Sequence, residues 1–350
     1  MSTYGPEKIR WGIIGCGNVT EHKSGPGFQL AQRSELVAVM RRQAGLAQDY
    51  ALRHGVPRWY SHAQDLISDP EVDAVYVATP VGLHHEMALA VCAAGKPCYV
   101  EKPMARHTTE CHAMLNAFDQ KHLPLFVAYY RRALPRFLKA RDMVVSGAMG
   151  DVHRVDYRYA RSPDVLPLHS PLPWRLVAES AGGGLFLDLG SHTLDVLDFI
   201  LGPLTFVRGE ALRRGTQYDV EDGVTLEFSA GNGIVAGAAQ WDFCASAYED
   251  LITISGTKGV LSLSTFGNEP VRFQPMTGTL QEFDLPNPKP IQQPLIQMIV
   301  DALLGGSVAP STGDSAIRTS RIMDEALEHF YKGRADAFWL RPETWGRLRR

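Results

Sequence analysis

Short apolar runs alternate with helical patterns over the first 130 residues of this 350-residue chain, and this alternation restricts the fold more than any other feature. Each run is bounded by Gly, Pro or polar residues, as short buried strands are. The runs lie at Trp11–Ile14, Leu36–Met40, Ala74–Ala78, Pro97–Val100 and Leu125–Ala128. The helical patterns between them lie at Ala44–His54, His85–Ala94 and Thr109–His122. Strand–helix alternation at this spacing predicts a doubly wound parallel sheet.

The pattern changes after Gly150 to one that is typical of an antiparallel sheet. Val155, Tyr157 and Tyr159 alternate with polar residues, as on a strand with one buried face. Glycine-containing turns at 230–233 and 256–259 join neighbouring apolar runs as hairpins do. These later runs lie at Val224–Phe228, Ile234–Trp241, Leu251–Ile254 and Val260–Leu263.

Three long helical patterns accompany this sheet, at Leu185–Leu201, Pro294–Leu304 and Asp314–Tyr331. The length of the chain favours two domains over one. We therefore expect a dinucleotide-binding parallel-sheet domain over residues 1–130 and a second domain over residues 131–350. The C-terminal helices could also pack back on the first domain.

Composition argues against several classes of function. The 35 basic and 38 acidic residues leave a net charge of −3, which indicates neither nucleic-acid nor membrane binding. The five cysteines form no C-x-x-C motif, and we expect thiols of a reducing cytoplasm. No His, Cys, Asp or Glu spacing predicts a metal site. Without a signal pattern or a long apolar run, the chain is expected to be soluble and cytoplasmic.

A glycine-rich turn directly follows the first predicted strand. Gly15 allows the tight turn, and Gly17 lets the backbone approach a pyrophosphate at the start of the next helix, where Asn18 and Val19 lie. By itself, Gly-x-Gly fits a structural turn equally well. Its position, one strand into a strand–helix–strand unit, favours a dinucleotide site.

The end of the second predicted strand indicates which coenzyme is bound. An acidic residue there binds the ribose of NAD, whereas an arginine accommodates the 2′-phosphate of NADP. This chain has Arg41 and Arg42 at that point and no carboxylate until Asp49. The pattern therefore predicts NADP, with NAD less favoured. The alternative is a pair of solvated arginines at the start of a helix.

The sequence Glu101-Lys102-Pro103 follows another apolar run. Ligands of open α/β sheets bind at the carboxyl ends of the strands, and the proline favours an extended backbone at Lys102. The lysine is thus expected to point an amine into the crevice that holds the dinucleotide. A proton-transferring group beside a hydride carrier predicts an oxidoreductase.

A second candidate catalytic group follows the three glycines at 182–184. At about 100° per residue, Asp188, His192 and Asp195 share one stripe of the predicted helix. A carboxylate beside an imidazole can orient it and raise its basicity. The alternative is a salt bridge on the helix surface or a histidine within the core.

Together these motifs resemble the glucose-fructose oxidoreductase / inositol 2-dehydrogenase / rhizopine-catabolism family, over nearly the whole chain. The resemblance implies a Rossmann domain followed by an α/β domain with a large open, mostly antiparallel sheet, often used for dimer or tetramer contacts. It also implies hydride transfer at a hydroxyl or carbonyl of a sugar, cyclitol or related polyol. By motif matching, the catalytic lysine is Lys102 and the Asp/His pair is Asp188 and His192.

Further candidates follow other predicted strands. Thr79, Pro80 and His84 occupy positions where the family places residues near the nicotinamide, although a capping or surface role fits His84 almost as well. Glu101 belongs with the same coenzyme-binding group. Substrate candidates, each with a structural alternative as an ion pair or loop anchor, are Tyr130, Arg131, Trp174 and Arg175.

The sequence therefore predicts an NADP-dependent oxidoreductase of sugars or polyols in which Lys102 and His192 serve one nicotinamide. Which of the two transfers the proton directly stays open. A dihydrodiol dehydrogenase acting on cyclic diols is one alternative, with the same site residues. A non-enzymatic, NADP-sensing regulatory protein of the same fold is another, but Lys102, Asp188 and His192 together argue against it, since a sensor needs no proton transfer.

Overall fold

The computed structural model describes residues 7–162, 172–334 and 338–339. The chain divides into two compact units. The first comprises Met1–Ala105, Glu110–Leu134 and Pro288–Ile317. The second comprises Arg106–Thr109, Pro135–Asn287 and Arg318–Arg350. The chain therefore crosses between the units several times, and residues 288–317 belong to the first unit.

The first unit contains a parallel six-stranded sheet in the order β3-β2-β1-β4-β5-β6. Its strands are β1 (Ile9–Ile14), β2 (Ser34–Met40), β3 (Arg58–Tyr60), β4 (Ala74–Val77), β5 (Cys98–Val100) and β6 (Leu125–Val127). This is the strand order of the Rossmann fold, and the predicted doubly wound sheet is confirmed. Sequence patterns missed β3, because this short edge strand is only partly buried.

The α-helices of the described residues are distributed over both units. They are α1 (Asn18–His22), α2 (Gly25–Leu30), α3 (Ala44–His54), α4 (Ala63–Ser68), α5 (His84–Ala93), α6 (Thr108–Gln120), α7 (Pro135–Val145), α8 (Ala178–Ala181), α9 (Ser191–Leu201), α10 (Gln293–Leu303) and α11 (Gly313–Tyr331). None of them has the length and hydrophobicity that a membrane span requires.

One face of the first sheet has an aromatic core beneath α2 and α10. The rings of Tyr76 and Tyr99, on neighbouring strands, stack at 4.8 Å. Phe28 of α2 packs on Tyr76 at 5.2 Å and on Trp11 at 4.9 Å. A Cβ on Gly27 would lie 2.8 Å from Ile296, so α10 packs directly on α2. The late segment of the chain thereby completes the first unit.

The second unit contains an eight-stranded sheet in the order β14-β13-β12-β11-β7-β10-β9-β8. Its strands are β7 (Val152–Ala160), β8 (Thr205–Leu212), β9 (Gly223–Ala230), β10 (Val235–Asp242), β11 (Glu249–Gly256), β12 (Gly259–Leu263), β13 (Val271–Pro275) and β14 (Gln281–Phe283). Only β7 and β10 pair in parallel; the other neighbours are antiparallel. The predicted mostly antiparallel sheet is confirmed, as are both glycine hairpins.

Candidate active site

The turn after β1 has a conformation that favours glycine. Gly15 has a φ of +92°, and a Cβ there would lie 2.9 Å from the backbone nitrogen of Thr79. The N–H groups of Gly15 and Cys16 donate to the carbonyl oxygen of Met40 at 2.9 and 3.1 Å. These contacts join the turn to the carboxyl end of β2 and to the segment after β4.

The space beside this turn fits a dinucleotide. A Cβ on Gly17 would meet only the carbonyl oxygen of Gly15, at 3.7 Å, so a phosphate can approach the backbone closely. The hydroxyl of Thr79 is buried and makes no hydrogen bond within the described part of the chain. Asn18 and Val19 begin α1 directly after the turn. The glycine turn and this hydroxyl are thus suited to hold the coenzyme.

Arg41 lies against the glycine turn. It directly follows β2, and its Nη1 donates to the carbonyl oxygen of Cys16 at 3.4 Å. Arg42 is exposed, whereas Arg41 is partly buried. The first carboxylate downstream, Asp49, is paired with Arg53 at 2.8 Å. A guanidinium rather than a carboxylate therefore stands next to the turn.

Glu101 fixes the backbone just before Lys102. Its Oε1 accepts hydrogen bonds from the Tyr76 hydroxyl at 2.5 Å and from Gln292 Nε2 at 2.8 Å. Its Oε2 accepts the N–H of Lys102 at 3.1 Å. Burial, followed by the charge of Glu101, raises the pKa of Tyr76 well above its usual range. A buried carboxylate is costly unless it is hydrogen-bonded, so Glu101 must keep these three partners. The bonds therefore hold the backbone in place where the chain leaves β5.

Lys102 itself is partly buried, and the peptide bond between it and Pro103 is cis. The residue follows the carboxyl end of β5, at the same edge of the sheet as the glycine turn after β1. Within the first unit, Lys102 thus lies at a strand end beside the proposed coenzyme turn, and its catalytic role stays a prediction.

His84 is buried, which excludes the surface role. Its Nδ1 lies 2.9 Å from the carbonyl oxygen of Pro103, and its Nε2 lies 2.9 Å from that of Thr79. Burial lowers the pKa of His84, and the two carbonyl oxygens act in the opposite direction. The ring therefore joins the segment after β4, where Pro80 is exposed, to the segment that carries Lys102. Its proximity to the nicotinamide stays a prediction.

Tyr130 and Arg131 form part of a 3-10 turn after β6. Both residues are buried, at 5% exposure each, and the guanidinium of Arg131 lies 5.0 Å from the centre of the Tyr130 ring. Their predicted contact with substrate or coenzyme stays a prediction.

In the second unit, a buried glutamate holds the triple glycine. The N–H of Gly184 lies 2.9 Å from each carboxylate oxygen of Glu221, and the Tyr331 hydroxyl donates to the same carboxylate at 2.6 Å. Burial raises the pKa of Glu221. Sequence reasoning missed this residue, since nothing local marks Glu221 as the partner of a loop 37 positions earlier.

The helix that follows differs from the prediction in its first turn. Residues Phe186–Gly190 form a π-helical turn, and α9 begins only at Ser191. A π turn holds more residues than a turn of an α-helix. The predicted rotation of 100° per residue therefore applies from Ser191 onward and not at Asp188. Such turns are frequent at functional sites.

Asp188 pairs with Arg175, which the sequence analysis also named as a substrate-side candidate. Its Oδ2 accepts a hydrogen bond from Arg175 Nε at 2.9 Å, and the Arg175 guanidinium stacks on the Trp174 ring at 4.5 Å. Three predicted substrate-side residues therefore lie together in this unit. His192, 5% exposed, has its ring 6.0 Å from that of Phe266. The action of Asp188 on His192, and of His192 with Lys102, stays a prediction.

Two family descriptions match the two sheets. Residues 9–129 match an oxidoreductase family with an NAD-binding Rossmann fold, and residues 137–262 match the GFO/IDH/MocA C-terminal domain. The chain belongs to the GFO/IDH/MocA oxidoreductase family. The resemblance inferred from the motifs is thereby confirmed.

Similar proteins include several that are named as oxidoreductases or dehydrogenases. Oxidoreductase P35 of Formosa agariphila is 34% identical over 91% of this chain and 98% of its own length. Trans-1,2-dihydrobenzene-1,2-diol dehydrogenase of Bos taurus is 28% identical over 79% of this chain and 80% of its own length. Levoglucosan dehydrogenase in complex with NADH and levoglucosan has a TM-score of 0.79 at 25% identity, covering 93% of this chain and 98% of that one.

The protein is therefore an NAD(P)-dependent oxidoreductase, and the alternative of a non-enzymatic sensor is set aside. Among the described residues, no three His, Cys, Asp or Glu side chains are grouped so as to hold a metal ion.

Proposed function

We propose that this family member transfers hydride between NADP and a hydroxyl or carbonyl group of a sugar, cyclitol or related polyol. The observation that carries the proposal is the placement of Lys102. It follows the carboxyl end of β5, at the edge of the sheet where the glycine turn follows β1, and buried Glu101 defines its backbone. An amine at this edge is suited to exchange a proton with a substrate hydroxyl.

The nicotinamide, when bound, supplies or accepts the hydride. Lys102 and His192 are the proposed proton-transfer groups: one takes the hydroxyl proton during oxidation and returns it during reduction. Asp188, paired with Arg175 at 2.9 Å, is the proposed carboxylate partner of the imidazole. Gly15 and Gly17 hold the pyrophosphate, and Thr79 offers its buried hydroxyl to the coenzyme.

NADP is proposed over NAD because Arg41 contacts the glycine turn. Its guanidinium reaches the carbonyl oxygen of Cys16, beside the end of β2 where the adenosine ribose of a dinucleotide lies in this fold. Arg42, exposed at the next position, adds a second positive charge.

Replacement of Lys102 by Met tests the proposal. General acid–base groups contribute about 10²- to 10⁴-fold to rate, so we expect kcat to fall by about that factor while the affinity for NADP stays within about twofold. Nicotinamide absorbance with a panel of sugars, cyclitols and cyclic diols measures turnover, and fluorescence titration measures coenzyme binding.

Lys121→Met serves as the control, because Lys121 is exposed and its ammonium group donates to the Ala93 carbonyl oxygen at 2.8 Å. Lys121→Met should leave both kcat and the affinity for NADP unchanged. A nearly normal kcat in Lys102→Met would remove the lysine from the mechanism.

A dihydrodiol dehydrogenase is the second candidate, supported by the relative from Bos taurus that carries this name. The same residues serve both reactions, so the substrate panel decides. Turnover of a cyclic diol, with none for sugars or cyclitols, would favour the second candidate.

A further inference from the structure

A glutamine from late in the chain lies inside the first unit, against the segment that carries Lys102. Gln292 directly precedes α10, and its side chain is buried at 0% exposure. Its Nε2 donates to Glu101 Oε1 at 2.8 Å, and its Oε1 accepts the Tyr99 hydroxyl at 3.3 Å. Gln292, Tyr99, Glu101 and Lys102 all belong to the first unit. Both polar groups of the amide are therefore engaged at the carboxyl end of β5.

The chemistry of the two partners fixes the orientation of this amide. An ionised carboxylate can only accept hydrogen bonds, so Glu101 requires the NH2 group of Gln292. Burial, followed by the charge of Glu101, raises the pKa of Tyr99 well above its usual range, so the phenol keeps its proton and donates to the amide oxygen. A primary amide is suited to this place because it donates and accepts at once.

The backbone of Gln292 is held from two directions. Its N–H donates to the carbonyl oxygen of Lys23 at 3.4 Å, just after α1. Its own carbonyl oxygen accepts the N–H of Ile296 at 3.1 Å, in the first turn of α10. Since α1 directly follows the glycine turn, the same residue contacts the end of the proposed coenzyme helix. The amide thus reaches Glu101 from a fixed point.

Glu101 divides its two oxygens between the core and the chain. Its Oε1 accepts from Gln292 and from the Tyr76 hydroxyl, whereas its Oε2 accepts the N–H of Lys102 at 3.1 Å. At 7% exposure, the carboxylate has little access to water that could replace a lost donor. Loss of the amide donor is therefore expected to let the carboxylate turn toward its remaining donors and to loosen its bond to the Lys102 N–H.

We propose that Gln292 is a positioning residue for Lys102. It acts through Glu101: the amide fixes the carboxylate, and the carboxylate fixes the backbone from which the Lys102 amine extends. The inference rests on the function proposed above, in which that amine exchanges a proton with the substrate. Small displacements of a reacting group cost up to about 100-fold in rate, so a residue that contacts Glu101 can affect turnover.

Gln292→Met tests the inference, because methionine keeps the length of the side chain and removes its donor and its acceptor. We expect kcat at saturating NADP to fall about tenfold. Gln292→Asn keeps the amide but is one methylene shorter, so it should lower kcat in the same direction. Urea denaturation checks that each variant folds, and the asparagine variant carries the test if the methionine variant does not.

Gln297→Met is the matched control on α10, because this variant also loses hydrogen bonds. The Oε1 of Gln297 accepts the N–H of Gln32 at 2.6 Å, and its Nε2 donates to Asp301 at 2.9 Å. Gln32 precedes β2, at the opposite edge of the parallel sheet from Lys102. A general loss of stability would therefore appear in this variant as well, whereas its kcat should stay unchanged.

A second measurement follows Lys102 without turnover. Reductive methylation with isotopically labelled formaldehyde places NMR-visible methyl groups on lysine amines and keeps their charge, and the Lys102 signal is the one absent from Lys102→Met. We expect Gln292→Met to move the chemical shift of this signal, because the backbone that carries the amine is displaced. The signal of Lys121, assigned in the same way with Lys121→Met, should not move.

Three results would overturn the inference: normal kcat in the folded Gln292 variants while Lys102→Met is inactive, an equal loss of kcat in Gln297→Met, or an unmoved Lys102 signal. The outcomes also separate it from the proposed function. Retained turnover in Lys102→Met together with a moved Lys102 signal in Gln292→Met refutes only the catalytic role of the lysine. Lost turnover in Lys102→Met together with an unmoved signal in Gln292→Met refutes only the role of Gln292.

Discussion

At the residue scale, the proposed preference for NADP depends on Arg41. Its guanidinium is partly buried and touches the glycine turn through Cys16, and in the proposed complex its charge attracts the 2′-phosphate. A hydrogen bond to a charged group contributes about 1.5–3 kcal/mol, which corresponds to about 10- to 150-fold in preference. A single residue at this position can therefore decide between two coenzymes.

We expect Arg41→Asp to invert the preference from NADP to NAD, because the carboxylate repels the phosphate and binds a free ribose hydroxyl. The measurement is the ratio of kcat/KM for NADP to that for NAD. The same charge change at exposed Arg42 should move the ratio less. An unchanged ratio in Arg41→Asp, or equal changes in both variants, would contradict the assignment.

At the element scale, the segment from the triple glycine into α9 depends on close packing against Glu221. A Cβ on Gly184 would lie 2.4 Å from the Glu221 carbonyl oxygen, and the Gly184 N–H also bonds the Glu221 carboxylate. This contact sets the start of the π turn that carries Asp188. The position of the proposed Asp/His pair therefore depends on an element outside the helix.

Gly184→Ala should lower the free energy of unfolding by about 1–3 kcal/mol, as overpacking of a closed site does, and should also reduce kcat. Gly45→Ala is the control: no atom lies within 4 Å of a Cβ there, and the position is inside α3. That variant should be neutral or up to about 1 kcal/mol more stable. Urea denaturation measures the free energy of unfolding of both variants. Similar losses of stability at the two sites would refute the packing argument.

At the scale of the whole molecule, the open face of the eight-stranded sheet is the proposed contact between copies of the chain. A depression on this face is lined by Arg158, Glu249, Arg208, Glu227 and Leu251. The arginines pair with the glutamates at 2.8 and 2.6 Å, and exposed ion pairs contribute little stability on their own. A surface of mixed charge around an exposed leucine can complement a second copy of itself.

We propose a homodimer or homotetramer through this face. Leu251 is 43% exposed, so Leu251→Arg should leave folding intact but shift the protein toward monomer in sedimentation velocity. Leu52→Arg, at an 83% exposed leucine of α3, is the matched control and should keep the oligomer. A monomeric wild type, or an unchanged state in Leu251→Arg, would exclude this interface.

Local pattern explains which elements could be predicted. Strands β1, β2, β4 and β5 are covered on both faces and therefore read as continuous apolar runs. Strands β3, β8 and β14 were missed because their residues are largely exposed or only partly buried. Strand β13 was missed as well. The helix from Leu185 was predicted correctly in extent, whereas its π turn was not, because spacing in sequence does not distinguish turns of different width.

The amino-acid sequence by itself determined the parallel sheet, the glycine turn and the lysine at a strand end, since each depends on residues close together in the chain. Tertiary structure decided the partners of those groups. Gln292 reaches Glu101 from 191 positions away, and the ring of Tyr159 contacts those of Tyr248 and Phe266, which lie far from it in the chain. Local patterns record the period of one element, whereas such contacts depend on how distant elements pack against each other.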